Sequence, residues 1–135
     1  MSHTDETVEI DEIAVSGLFD GAWYLTLYED VRSAGLDPLR HFHQYGSGEG
    51  RRPNAYFDPE WYLATYADVR ASGMPPLLHY LRHGDAAGQR PIQHFDPAWY
   101  RAAYGLAADT VALAHFLTMR ASGKFAPVPE LYAVL

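Results

Sequence analysis

Along this chain apolar and polar residues do not alternate at period two over any useful length, so strands are not expected. Nor is there a run of about 18 apolar residues of the kind that spans a membrane. Apolar residues gather instead in short bursts with helical spacing. In residues 56–70, YFDPEWYLATYADVR, the side chains of Trp61, Tyr62, Thr65 and Tyr66 fall on one face of a helix. Asp58 is a good N-cap, because its carboxylate can accept from free amides of the first turn. Pro59 follows at the position where a missing N–H costs nothing, and Phe57 can staple against the same face. A second short helix starts near Asp68 and ends at Gly73, and a third runs from Pro76 through His79 towards Gly84.

The same pattern occurs three times. Phe19, Phe57 and Phe95 are spaced by 38, as are Asp20, Asp58 and Asp96; Trp23, Trp61 and Trp99; Tyr24, Tyr62 and Tyr100; and Tyr28, Tyr66 and Tyr104. His41 and His79 keep the same register, and the units close on Arg52-Pro53 and Arg90-Pro91. A fixed period in this range predicts an all-α tandem-repeat domain. We expect repeats at about 17–54, 55–92 and 93–128, each of about three short helices, stacked into one compact domain over 16–135. The third copy departs: His115 follows Tyr104 by 11 residues instead of 13, and the Asp-Val-Arg element is replaced. Terminal repeats are commonly atypical because they cap a stack.

Charge separates the first residues from the rest. Asp5, Glu6, Glu9, Asp11 and Glu12 carry five of the 17 acidic residues, and all 10 basic residues lie after them. Residues 1–15 are therefore expected to be a disordered acidic tail, with too little apolar surface to offset ordering entropy. Residues 8–15 hold the apolar side chains by which that tail would dock. The body is close to neutral, without the basic stripe or patch that nucleic acid or an anionic membrane requires. There is no cysteine, which excludes disulfides, zinc–thiolate sites and cysteine nucleophiles. The N-terminus lacks a basic segment followed by an apolar one, so no secretory signal is expected and the default location is cytoplasmic.

The phrase Phe-Asp-x-x-Trp-Tyr-Leu-x-x-Tyr-x-Asp-Val, followed by Pro-Leu-x-His-Tyr and a glycine-spaced Pro, resembles a bacterial tandem repeat. That repeat occurs beside glycosyltransferase domains of surface-polysaccharide systems and in some large calcium-binding surface proteins. The resemblance covers residues 17–91 closely and 94–127 loosely. It implies an accessory module near polysaccharide synthesis or the cell surface, and it carries over no catalytic residue.

Recurring residues are candidates for both architecture and function. Trp23, Trp61 and Trp99 fit a helix core, or a ladder on which sugar rings stack. His41, His79 and His115 fit half-buried rings bonded to backbone or aspartate. Arg52 and Arg90 fit partners for the next unit's carbonyls or carboxylates, or sugar ligands. Asp20, Asp58 and Asp96 read as caps. His79 and His83, at i and i+4, have metal-clip spacing with Asp85 or His94 as a third ligand, although His83 does not recur. The expectation is a non-enzymatic interaction or scaffolding module with no cofactor. Its partner would be a protein such as a glycosyltransferase, and self-association would cover any uncapped end. Glycan binding through exposed aromatics and arginines, and metal binding at His79 and His83, are the alternatives.

Overall fold

The computed structural model of the protein describes residues 3–134. It is all-helical, and no strand occurs among the described residues. A long first helix, α1 (His3–Ser16), precedes α2 (Gly21–Leu27), α3 (Glu29–Ser33) and α4 (Pro38–His41). α4 runs on into a wide π turn, Phe42–Gly46. Then come α5 (Pro59–Thr65), α6 (Ala67–Ser72) and α7 (Pro76–His79), again with a π turn, Tyr80–Gly84. α8 (Pro97–Ala103), α9 (Ala112–Met119) and α10 (Pro129–Tyr132) complete the chain. No helix among the described residues is long and apolar enough to cross a membrane.

The helices are short because their ends are written into the sequence. Asp20, Asp58 and Asp96 each accept from the amide of the tryptophan three residues on, at 3.0, 3.2 and 3.0 Å. Tyr28 and Tyr66 close one helix and open the next with non-helical backbone. Their hydroxyls are pinned from a distance: Tyr28 accepts from the Arg52 amide, Tyr66 from Arg90, and Tyr104 from Ala126. The amides of Asp20, Asp58 and Asp96 donate to the carbonyls of Pro53, Pro91 and Pro127. Thus the start of each copy is tied to its own end, and this holds in the third copy despite its two missing residues.

Tyr24, Tyr62 and Tyr100 are fully buried, together with Phe42, Phe57, Tyr80, Phe95 and Phe116, in one hydrophobic cluster. Their hydroxyls meet Nδ1 of His41, His79 and His115 at 2.9, 2.9 and 2.7 Å. The recurring histidines therefore bond tyrosine, where backbone or aspartate was expected. In the first two copies this bond lies over the π turn. Gly46 and Gly84 sit so close under Tyr24 and Tyr62 that a Cβ at either would fall on the hydroxyl.

The acidic N-terminal residues are a correction to the sequence reading. Residues 3–16 form α1, not a disordered tail. Ile13 is buried in the common core. Glu9 pairs with His43 at 3.0 Å, and Glu12 holds Arg82 through both carboxylate oxygens. Counting acids missed that two of them face a histidine and an arginine on the first two copies. Ser16 closes the helix by donating to Ile13 and accepting from Leu18.

The third copy lacks a helix between α8 and α9, and Asp85 compensates. This buried carboxylate accepts from Tyr80 (2.5 Å), Arg101 (2.6 Å) and the first amides of α9, Ala112 and Leu113. Arg101 also donates to the carbonyls of Ala107 and Thr110 in the non-helical link. In the first copy the residues aligned with Tyr80 and Asp85 are Phe42 and Ser47, so hydroxyl and carboxylate are present or absent together.

Candidate binding site

The three tryptophans share a backbone role and diverge in their side chains. Each is half-buried, whereas the tyrosine beside it is fully buried. The helix turns its tyrosine inward because that ring can reach a histidine. Trp99 packs against Tyr104 and Tyr132 at 6.0 and 5.9 Å. Trp61 meets the edge of Tyr66 at 6.2 Å. Trp99 packs on the core cluster, but Trp23 and Trp61 do not. Among the described residues no indole N–H has a protein acceptor.

Trp61 lines a cleft of about 710 Å³, within the size range of ligand sites. Arg52, Tyr56, Asp58, His94, Arg120 and Leu131 of α10 line it as well. Of the residues singled out from sequence, the fold thus gathers Trp61, Arg52, Asp58 and His94. Trp23, Trp99 and Arg90 do not line this cleft.

Asp58 is committed at both oxygens. One accepts from the Trp61 amide and the other pairs with Arg52 at 2.8 Å. Asp96 does the same with Trp99 and Arg90. These arginines therefore link the end of one copy to the cap of the next. Asp20 keeps the tryptophan cap, but no arginine pairs with it among the described residues.

Arg120 was not singled out from sequence. It stands in the 3₁₀ turn Arg120–Ser122 that ends α9, with its guanidinium 5.5 Å from the Tyr56 ring centroid. The signal was present in the alignment, since Arg120 falls where the first two copies have Gly46 and Gly84. A π turn demands glycine there. The third copy replaces it with a 3₁₀ turn, and a long side chain becomes possible.

His79 and His83 are adjacent, with ring centroids 5.5 Å apart. Their proposed third ligands are elsewhere engaged: Asp85 holds the start of α9, and His94 lines the cleft. Among the described residues no group of three or more His, Asp or Glu is placed to hold a metal ion. His79 instead belongs to a chain of hydrogen bonds. The Gln89 amide N–H faces Asp68, its oxygen accepts from Tyr62, and Tyr62 must then accept from His79. This places the His79 proton on Nδ1. Burial holds the His79 imidazole below its ordinary value, with Asp68 opposing and His83 adding to the effect. Burial also pushes the Tyr24 phenol up to about 12, and Tyr62, Tyr80 and Tyr100 upward in the same sense. These phenols remain neutral hydrogen-bonding groups at physiological pH.

Comparison with protein-family models, with curated proteins and with solved structures finds no significant match to this chain.

Proposed function

We propose that the protein is a non-catalytic binding module whose ligand is an oligosaccharide seated in the cleft beside Trp61. The observation that carries this reading is Trp61 itself. It is an aromatic face that recurs in the sequence, stays out of the core, and looks into a 710 Å³ cleft with polar neighbours. Sugar rings present an apolar face to an aromatic platform and hydroxyls to surrounding polar groups. The architecture behind the cleft is a stack of three tandem repeats of about 38 residues, each tied end to end and linked to the next by an Arg–Asp pair. The setting is the one the sequence resemblance implies, an accessory to polysaccharide synthesis or the cell surface.

A variant with Trp23→Phe and Trp99→Phe leaves Trp61 as the only indole. Oligosaccharides that bind will shift its emission, and Trp61→Ala in the otherwise native chain will abolish binding measured by calorimetry. No change across a broad panel of neutral and acidic oligosaccharides removes this reading.

A protein-scaffolding role has its own support in α1, where Val8 and Val15 are 56% and 85% exposed although Ile13 is buried. Val8→Ser with Val15→Ser leaves the Ile13 anchor in place and abolishes recovery of a protein partner on that reading. Unchanged recovery rules out this face as the contact.

A further inference from the structure

Five arginines are half-buried among the described residues, and four hold a carboxylate: Arg51 with Asp30, Arg52 with Asp58, Arg90 with Asp96, and Arg101 with Asp85. The fifth, Arg120, pairs with no carboxylate of the described residues. Acidic residues outnumber basic ones 17 to 10 in this chain, so counter-charges are not scarce. The Tyr56 ring and the carbonyl end of α9 favour a cation at this position without neutralising it. Its planar fork of N–H donors matches a carboxylate in shape as well as charge.

Arg120 also has a second exposure. It lines a smaller cleft of about 250 Å³ between residues 17–21 and the end of α9. Asp20 lines that cleft too, lacking the arginine that its counterparts Asp58 and Asp96 have. Its carboxylate is an acceptor for sugar hydroxyls. Arg120 therefore stands where the two clefts meet, with the aromatic face of Trp61 on one side and an acceptor on the other.

Resting on the oligosaccharide reading of the cleft, we infer that the ligand is an acidic saccharide of the uronic-acid class. Its carboxylate is received by Arg120 while a neighbouring sugar ring lies on Trp61. Because Arg120 borders both clefts, the ligand is an oligomer that passes it rather than a single sugar.

The test uses the full chain and a panel of uronic-acid oligosaccharides of several configurations, each beside its carboxyl-reduced counterpart. The acidic member of at least one pair is expected to bind about tenfold or more tightly, a difference of about 1.4 kcal/mol. Added salt weakens that binding. Arg120→Gln erases the difference, and Arg120→Lys keeps part of it. Equal binding of both members of every pair overturns the inference and leaves the cleft reading standing. No binding of either member of any pair overturns the inference, and the broad oligosaccharide panel then decides the cleft reading. An acidic hexapeptide bound as tightly through Arg120 overturns the saccharide assignment. Should Arg120→Gln fail to fold, the paired ligands on the native chain decide the matter alone.

Discussion

The Tyr62 hydroxyl oxygen lies 2.9 Å from Nδ1 of His79 and 2.9 Å from Oε1 of Gln89. One phenol thus ties α5 to α7 and to the loop that closes the same copy. Tyr62→Phe keeps the ring and removes the hydroxyl, leaving a buried imidazole N–H without its acceptor. We expect a loss of about 1–3 kcal/mol, read as a lower urea midpoint with unchanged slope. An unchanged midpoint means that water replaces the hydroxyl.

The same imidazole makes stability depend on pH. Its folded value lies below the ordinary 6.5, so the unfolded chain takes up the proton first as pH falls. Its contribution is complete above 6.5, declines as pH drops from there towards the folded value, and stops declining below it. Melting temperatures between pH 8 and 5 will show this slope, and His79→Gln will flatten it.

Gly46→Ala places a methyl on the Tyr24 hydroxyl, whereas Gly48→Ala, two residues on, meets open space. The first is expected to cost about 1–3 kcal/mol or more through overpacking. The second should lie within about 0.5 kcal/mol of the native protein. Denaturation midpoints of the two variants, compared side by side, measure how tightly the wide turn is specified.

α1 is held by burial more than by charge. Ile13→Ala is expected to cost about 2–5 kcal/mol, as for other fully buried aliphatic truncations. Glu12→Gln breaks a partly exposed pair with Arg82 and should cost at most about 1 kcal/mol. Hydrogen exchange of the α1 amides distinguishes them: fast exchange in the first variant, near-native protection in the second.

Asp85→Asn removes the charge that organises the third copy. Arg101 loses its charged partner, and the new NH2 group confronts donors in either orientation, Arg101 and the Ala112 amide at one position or Tyr80 and the Leu113 amide at the other. Breaking a buried pair by removing one member costs about 3–5 kcal/mol. Near-ultraviolet circular dichroism and thermal unfolding check this, and a native-like melting temperature contradicts it.

Much of the secondary structure is legible because its causes are local. Asp58 and Pro59 start a helix within their own turn, and the backbone of Tyr66 breaks it eight residues after that cap. The tryptophan and tyrosine of the phrase are another matter. Both lie on the same helix face in the sequence pattern, and hydrophobicity does not rank them. The tyrosine goes inside because a histidine 17 residues away, or 15 in the third copy, arrives to bond its hydroxyl.

From the sequence alone follow the all-helical class, the period of 38, the aspartate caps and the departure of the third copy, since each is a property of neighbouring residues or of direct comparison along the chain. Packing alone places α1 on the core and sets Arg120 beside Tyr56 with no counter-charge among the described residues. Those outcomes depend on which distant side chains meet, and a pairing across 36 to 70 residues, such as Leu18 with Asn54 or Glu12 with Arg82, leaves no local trace in composition or spacing.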